Sequence, residues 1–172
     1  MNCCPHCQDA DRFFDQRVAA ADLRRYRQRG ATGTTRQLLD ALTSASVAGL
    51  TLLDIGGGIG VIQHELRAAG VTGITGVDAS RAYLAMAREE AERRGYAGDA
   101  RYVYGDFVAL ADGIAPADIV TLDRVVCCYP DMAALMDSAA AKAGRFLGLV
   151  YPRDDGDRVI RRSRPRIKAM GV

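Results

Sequence analysis

Leu50-Thr51-Leu52-Leu53-Asp54-Ile55-Gly56-Gly57-Gly58-Ile59-Gly60 decides the fold. A short apolar run ends at an acidic residue and breaks into alternating glycines. An amphipathic helical pattern follows at once. This is the pattern of a buried parallel strand entering a tight turn, with a small ligand resting on the turn. Glycines at alternate positions remove the Cβ atoms that would hold a ligand off the backbone. The next helix, starting near Ile59, offers free N–H groups and a positive dipole end, which favour an anionic group such as a carboxylate.

The spacing excludes two common ligands. The dinucleotide pattern G-x-G-x-x-G needs glycine at Val61 if it starts at Gly56, and at Gln63 if it starts at Gly58. Neither holds. The phosphate-loop pattern fails because no Lys-Ser/Thr pair follows the glycines. What stands is Asp54-x-Gly56-x-Gly58-x-Gly60, and the plainer alternative is a turn that only packs helix on strand.

Outward from this turn, short apolar runs alternate with helical patterns. Strands are expected near 50–55, 73–78, 100–104, 118–123 and 145–151, and helices near 59–69, 81–94 and 131–143, with a loop after the third strand. Ser80 is placed to cap the helix at 81. Repeated βα units of this length imply an α/β, doubly wound, Rossmann-like and mostly parallel sheet with right-handed crossovers. Ligands in such sheets sit at the carboxyl ends of the strands, where Asp54, Asp78, Asp106 and Asp123 fall. Before the sheet, residues 9–29 read as one arginine-rich helix with Phe13, Phe14, Val18, Leu23 and Tyr26 as a loose apolar stripe. Thr34 or Thr35 is placed to cap a second helix.

Composition narrows the class. A chain of 172 residues can bury one core, and 49% hydrophobic with 26% charged residues fits a globular protein. A net charge of +2 and the lack of an aromatic stacking pattern argue against a nucleic-acid binder. No apolar run reaches the roughly 18 residues of a spanning helix, and no signal-peptide pattern opens the chain, so no membrane partner is expected. Five cysteines, with adjacent pairs Cys3-Cys4 and Cys127-Cys128, argue against a disulfide framework and for a reducing cytoplasm.

The motifs taken together resemble the class I S-adenosylmethionine-dependent methyltransferases, over roughly residues 35–151. Leu52 to Gly60 is similar to that family's first motif, which implies that Asp54, Gly56, Gly57, Gly58 and Gly60 face the methionine part of the cofactor. Gly76-Val77-Asp78-Ala79-Ser80 matches the second, implying that Asp78, beside Ala79, grips both ribose hydroxyls. Gly105-Asp106-Phe107 matches the third, beside the adenine, and Asp118 to Arg124 the fourth, which puts Asp123 and Arg124 next to the methyl group and its acceptor. A carboxylate at Asp78 suits a ribose diol because charge strengthens both hydrogen bonds. The plainer alternatives are a helix cap for Asp78 and a turn residue for Asp106. The Tyr129-Pro130 step and the Phe14-Asp15…Arg25-Tyr26 segment are similar to the magnesium-protoporphyrin O-methyltransferases.

The resemblance implies methyl transfer from S-adenosylmethionine to a small-molecule acceptor, with Asp123, Tyr129 and Tyr26 as candidate catalytic residues. The alternative is a module that binds the cofactor without turnover. Residues 1–34 are expected as a Cys/His start with a lid-like helix, and 35–151 as the cofactor domain. Residues 152–172 are expected as a basic, disordered tail. That tail is too short for the family's last helix and two strands, so the chain is expected to be truncated after its fifth strand. An open strand-five edge of this kind invites self-association. No metal site is expected. Cys3-Cys4-Pro5-His6-Cys7 is at most half of a zinc site, His64 reads as a solvated helix residue, and Cys127 and Cys128 read as buried packing residues.

Overall fold

The computed structural model describes residues 5–151 and 166–169. Three helices come first: α1 (Pro5–Phe13), α2 (Gln16–Arg29) and α3 (Gly33–Thr43). The sheet domain follows as β1 (Thr51–Ile55), α4 (Val61–Ala68), β2 (Gly73–Asp78), α5 (Arg81–Arg93), β3 (Ala100–Tyr104), α6 (Phe107–Leu110), β4 (Ala117–Asp123), α7 (Met132–Lys142), β5 (Ala143–Val150) and β6 (Arg166–Ala169). The strand order is β3-β2-β1-β4-β5-β6, with β1 to β5 parallel. The order reverses between β1 and β4, which opens a crevice at the carboxyl ends of those strands.

Strand residues alternate between two apolar layers, as both faces of a parallel sheet require. Leu52, Ile74 and Ile119 pack with Leu38, Leu39, Leu42, Ile62 and Leu66 on the face covered by α3 and α4. Leu53, Val77, Val120 and Leu122 pack with Phe107, Leu135 and Ala139 on the face covered by α6 and α7.

Three elements differ from the sequence expectation. The single helix at 9–29 is two helices, because Phe14 ends the first and Asp15 caps the second, accepting from the Val18 N–H at 2.9 Å. The crossover after β3 is a one-turn helix, α6, where a loop is expected; Asp106 caps it, accepting from the Val108 N–H at 3.0 Å. The third is in the basic tail. Arg166–Ala169 form a strand that runs antiparallel to β5, with Phe146 opposite Ala169 and Leu149 opposite Arg166. The sheet therefore continues past β5 to a short edge strand, while residues 152–165 and 170–172 of the expected disordered tail lie outside the described residues. Arg166-Ile167-Lys168-Ala169 alternates basic and apolar residues, a pattern suited to a short charged edge strand and too brief to stand out by periodicity.

Candidate active site

The glycine turn connects β1 to α4 through three residues of positive φ: Gly56 (+63°), Gly58 (+56°) and Gly60 (+80°). Asp54, at the end of β1, lies almost wholly beneath the turn and touches the cavity only marginally. It is 1% exposed, and its carboxylate accepts from Gln63 Nε2 at 2.9 Å and from Thr121 Oγ1 at 2.7 Å. Burial pushes its acid up to about 7, against those two hydrogen bonds. Gln63 lies under the turn: a Cβ on Gly57 would stand 2.2 Å from Asp54 Oδ2 and 2.6 Å from Gln63 Nε2. One on Gly76, in the neighbouring strand, would meet Gln63 Nε2 at 2.8 Å, and one on Gly60 would meet Gln63 Oε1 at 3.0 Å. These three glycines thus make room for a buried amide. Gly58 is different. A Cβ there meets nothing closer than the Tyr83 ring at 3.9 Å, so its open side faces the cavity.

His64 holds the turn from the other side. Its Nε2 lies 2.8 Å from the Ile59 carbonyl and its Nδ1 against the Tyr96 hydroxyl. A carbonyl only accepts, so Nε2 carries the proton and Nδ1 accepts from Tyr96. The ring is 1% exposed rather than solvated, and burial lowers its pKa to about 4. The reason is α2, which lays Tyr26 over the imidazole with ring centroids 5.7 Å apart.

Asp78 ends β2 beside the turn. Its Oδ2 accepts from the Gly58 N–H at 2.9 Å and its Oδ1 from the Ser80 N–H at 2.7 Å. Burial raises its acid to about 6, with backbone N–H groups pulling the other way. Ser80 caps α5, accepting from the Tyr83 N–H at 3.1 Å, and donates to the Phe14 carbonyl at 2.7 Å. The N-terminal helices are thereby tied to the sheet domain. Further ties run from Tyr83 to Asp22 at 2.9 Å, from Arg27 to Glu89 and Glu90 at 2.9 Å each, and from Tyr26 to Glu65 at 2.7 Å.

Between the glycine turn and α2 and α3 lies a cavity of about 640 Å³, within the range of about 300–1,000 Å³ usual for small-molecule sites. Asp54, Gly56, Gly57, Gly58, Asp78, Ala79, Asp123, Arg124, Tyr129 and Tyr26 all contribute to its walls. A second groove of about 410 Å³, along Thr51, Thr72 and Arg101, lies at the opposite strand ends, away from the glycine turn. Asp123 ends β4 and accepts from Thr35 Oγ1 at 2.5 Å on Oδ2, while Arg124 Nε stands 3.3 Å from Oδ1. Arg124 holds a left-handed φ of +63°, with its N–H donating to the Val150 carbonyl at 2.8 Å. The sheet thus delivers Asp123 to the cavity at its reversal point.

Other expected site residues stand elsewhere. Gly60, Asp106 and Phe107 are not on the cavity wall: Gly60 packs on Gln63, Asp106 caps α6, and Phe107 is 3% exposed in the core. The Tyr129 hydroxyl donates to Asp106 at 2.6 Å. The Tyr26 hydroxyl donates to Glu65 and accepts from Arg94 Nη2 at 2.9 Å, and burial raises its pKa. Cys127 and Cys128 are exposed, because they ride on a 3₁₀ turn beyond β4. Cys3 and Cys4 lie outside the described residues, and among the described residues no three His, Cys, Asp or Glu side chains gather as a metal site. Thr35, Tyr83, Phe14 and Gln63 are the contributors that motif spacing does not reveal. Thr35 and Phe14 have a local signal, but the expected capping role of Thr34 or Thr35 does not hold: Thr32 is the N-cap of α3, and the Thr35 hydroxyl bonds Asp123 instead.

A parallel sheet whose reversal point carries a glycine turn, a strand-end carboxylate beside it and a second carboxylate across the crevice defines a Rossmann-like small-molecule site. Residues 52–144, over half of the chain, match the methyltransferase domain family. The chain belongs to the class I S-adenosylmethionine-dependent methyltransferases, and S-adenosylmethionine is the cofactor of that family. Among solved structures, it is similar to magnesium protoporphyrin IX methyltransferase (ChlM) from Synechocystis PCC 6803 with bound SAM. There the TM-score is 0.67 at 21% identity, over 90% of this chain and 80% of that one. A methyltransferase from Thiobacillus denitrificans in complex with S-adenosyl-L-homocysteine aligns at TM-score 0.53 and 24% identity, over 67% of this chain and 48% of that one. The [4+2]-cyclase SpnF aligns at TM-score 0.60 and 19% identity, over 76% and 52%. A search of curated protein sequences finds no match. Among the described residues no helix is long and apolar enough to cross a membrane.

Proposed function

We propose that the chain transfers the methyl group of S-adenosylmethionine to a small-molecule acceptor in the cavity between the glycine turn and the N-terminal helices. The observation that carries this is the convergence of Gly58, Asp78 and Asp123 on one cavity. The residues fit the cofactor. A carboxylate has about four lone-pair sites, and backbone N–H bonds from Gly58 and Ser80 leave Asp78 acceptor capacity for a ribose diol. Gly58 supplies a wall without a side chain. Asp54 acts through Gln63 and Thr121, setting the shape of the turn from below.

Bound S-adenosylmethionine supplies a methyl group on a sulfonium, whose leaving group is a neutral thioether. The protein therefore has to position the acceptor, exclude water and, for an acidic acceptor, take a proton. Asp123 is the residue for that proton: Thr35 donates to Oδ2 and Arg124 to Oδ1 at 3.3 Å, and each carboxylate oxygen keeps a further lone pair for the acceptor. Tyr129 and Tyr26 are set aside as bases, because their hydroxyls donate to Asp106 and Glu65. Arg124, exposed at the rim, orients Asp123. The unbridged cysteines suit a reducing cytoplasm.

A second reading keeps the cofactor and drops the methyl transfer, and the similarity to a [4+2]-cyclase favours its consideration, since fold alone does not dictate reaction. Calorimetry with S-adenosylhomocysteine tests the shared part. Binding to the wild type and its loss in Asp78→Ala are expected, and equal affinity in both overturns the site. Transfer of a labelled methyl group to a panel of hydroxyl, carboxyl and amine acceptors separates the two readings. A chain that binds and never transfers supports the second.

A further inference from the structure

One pair of side chains at the cavity mouth takes no part in the site above. The turn after β4 carries Cys127 and Cys128, both exposed and unbridged, with their Sγ atoms 3.4 Å apart. Cys128 lies on the cavity wall, and Cys127 Sγ stands 3.5 Å from the Arg124 carbonyl. Neighbouring residues in a strand point to opposite faces. The 3₁₀ turn over Val126–Cys128 instead brings the two sulfurs together.

Two chemistries use converging thiols, and the distances separate them. A disulfide needs sulfurs about 2.05 Å apart and favours Cα atoms about 4.4–6.8 Å apart. Consecutive Cα atoms across a trans peptide stand only about 3.8 Å apart. A bridge between these neighbours would be strained and easily reduced. A bound atom leaves the sulfurs where they are. Two thiolate bonds of about 2.3 Å across the 3.4 Å gap enclose an angle of about 95°. Tetrahedral zinc takes a wider angle, about 109°, and two further protein ligands. Among the described residues no third ligand joins the pair. A near-right angle with two sulfur ligands is the geometry of a pyramidal three-coordinate centre with a lone pair, as in trivalent arsenic.

We propose that Cys127 and Cys128 form a vicinal-dithiol site for a monosubstituted trivalent arsenical. The capture is a condensation without redox change. Two S–H bonds break and two As–S bonds form. The oxygen of the arsenic oxide leaves as water with both thiol protons, and arsenic stays trivalent. The organic substituent points away from the two sulfurs. Cys128 shares the cavity wall with the proposed cofactor site, but neither thiol is given a role in cofactor binding, so capture is tested without the cofactor.

The test uses the full chain carrying Cys3→Ser and Cys4→Ser, which removes the other adjacent pair. Phenylarsine oxide is added, and the intact mass is read after a challenge with excess glutathione. The expected result is a single phenylarsenic group that survives glutathione and is stripped by dithiothreitol. Cys127→Ser and Cys128→Ser, each checked for a native unfolding transition, are expected to weaken capture by about 10²-fold, the loss of the intramolecular second bond. Removal of the group by glutathione overturns the proposal, as does equal retention in either single variant.

Discussion

Asp54 is a carboxylate with no exposed surface to speak of, and its acid is raised to about 7 by burial. Its ionised form is thus penalised in the folded chain relative to the unfolded one. The penalty is complete above pH 7 and fades as pH falls toward the unfolded value near 4. Asp54→Asn is expected to raise stability at pH 8 by on the order of 1–3 kcal/mol, with the gain shrinking at pH 5. Denaturant unfolding at both pH values measures it, and a pH-independent difference would contradict the assignment. Asp78 titrates for the same reason near pH 6, and its charged form is the one that suits a ribose. S-adenosylhomocysteine affinity is expected to fall as pH drops from 7 to 5, and flat calorimetric constants across that range would exclude Asp78 as the ribose acceptor. Both carboxylates are visible as strand-end acids in the sequence. The partners that bury them are not. His64 reads as a solvated helix residue until Tyr26 of α2 is seen packed on it, and Gln63 is buried from another side, under the glycine turn against Asp54. Spacing likewise locates the Tyr26 and Tyr129 hydroxyls without telling that Glu65 and Asp106 hold them.

At the scale of elements, the glycine turn is two structures in one. Gly57 faces the buried amide of Gln63 and the carboxylate of Asp54, whereas Gly58 faces open space. Gly57→Ala is expected to cost about 3 kcal/mol through overpacking. Gly58→Ala costs about 1 kcal/mol for a side chain at positive φ. The first variant should therefore lose thermal stability, and the second should remain folded while its S-adenosylhomocysteine affinity falls. Thermal melts paired with calorimetry distinguish them; equal melting losses would refute the division. The βα alternation was legible because parallel strands are apolar runs with glycine or serine at their ends. The break at Phe14-Asp15 and the single turn of α6 were not, because a cap and a four-residue helix leave almost no periodic trace.

For the whole molecule, the N-terminal helices matter as the roof of the cavity. α3 is seated by Leu38, Leu39 and Leu42 in the core, whereas α2 joins the apolar contacts of Leu23 and Tyr26 to a set of ion pairs. Glu90 of α5 has a fully buried side chain and gathers Arg27 of α2 at 2.9 Å, Arg93 at 2.6 Å and Arg94 at 2.7 Å. These arginines hold its acid far below the ordinary carboxylate range, Arg93 foremost. Glu90→Ala leaves three cations without their common partner and is expected to cost about 3 kcal/mol. Hydrogen exchange should then quicken in Gln16–Arg29 while β1, β2 and β4 stay protected. Uniform loss of protection would mean that the roof and the sheet unfold as one unit.

The amide of Gln63 carries a consequence for how this sequence can change. Gly76 has no positive φ and is not on the cavity wall; the space its Cβ would need is taken by Gln63. Position 76 is thus glycine on account of position 63, thirteen residues earlier in the chain. The two should covary among homologues, with alanine or larger at 76 appearing where 63 is small. In the laboratory, Gly76→Ala should be harmful alone and partly rescued by Gln63→Ala. A double-mutant cycle is expected to show a coupling of about 1–2 kcal/mol, and strict additivity would break the link.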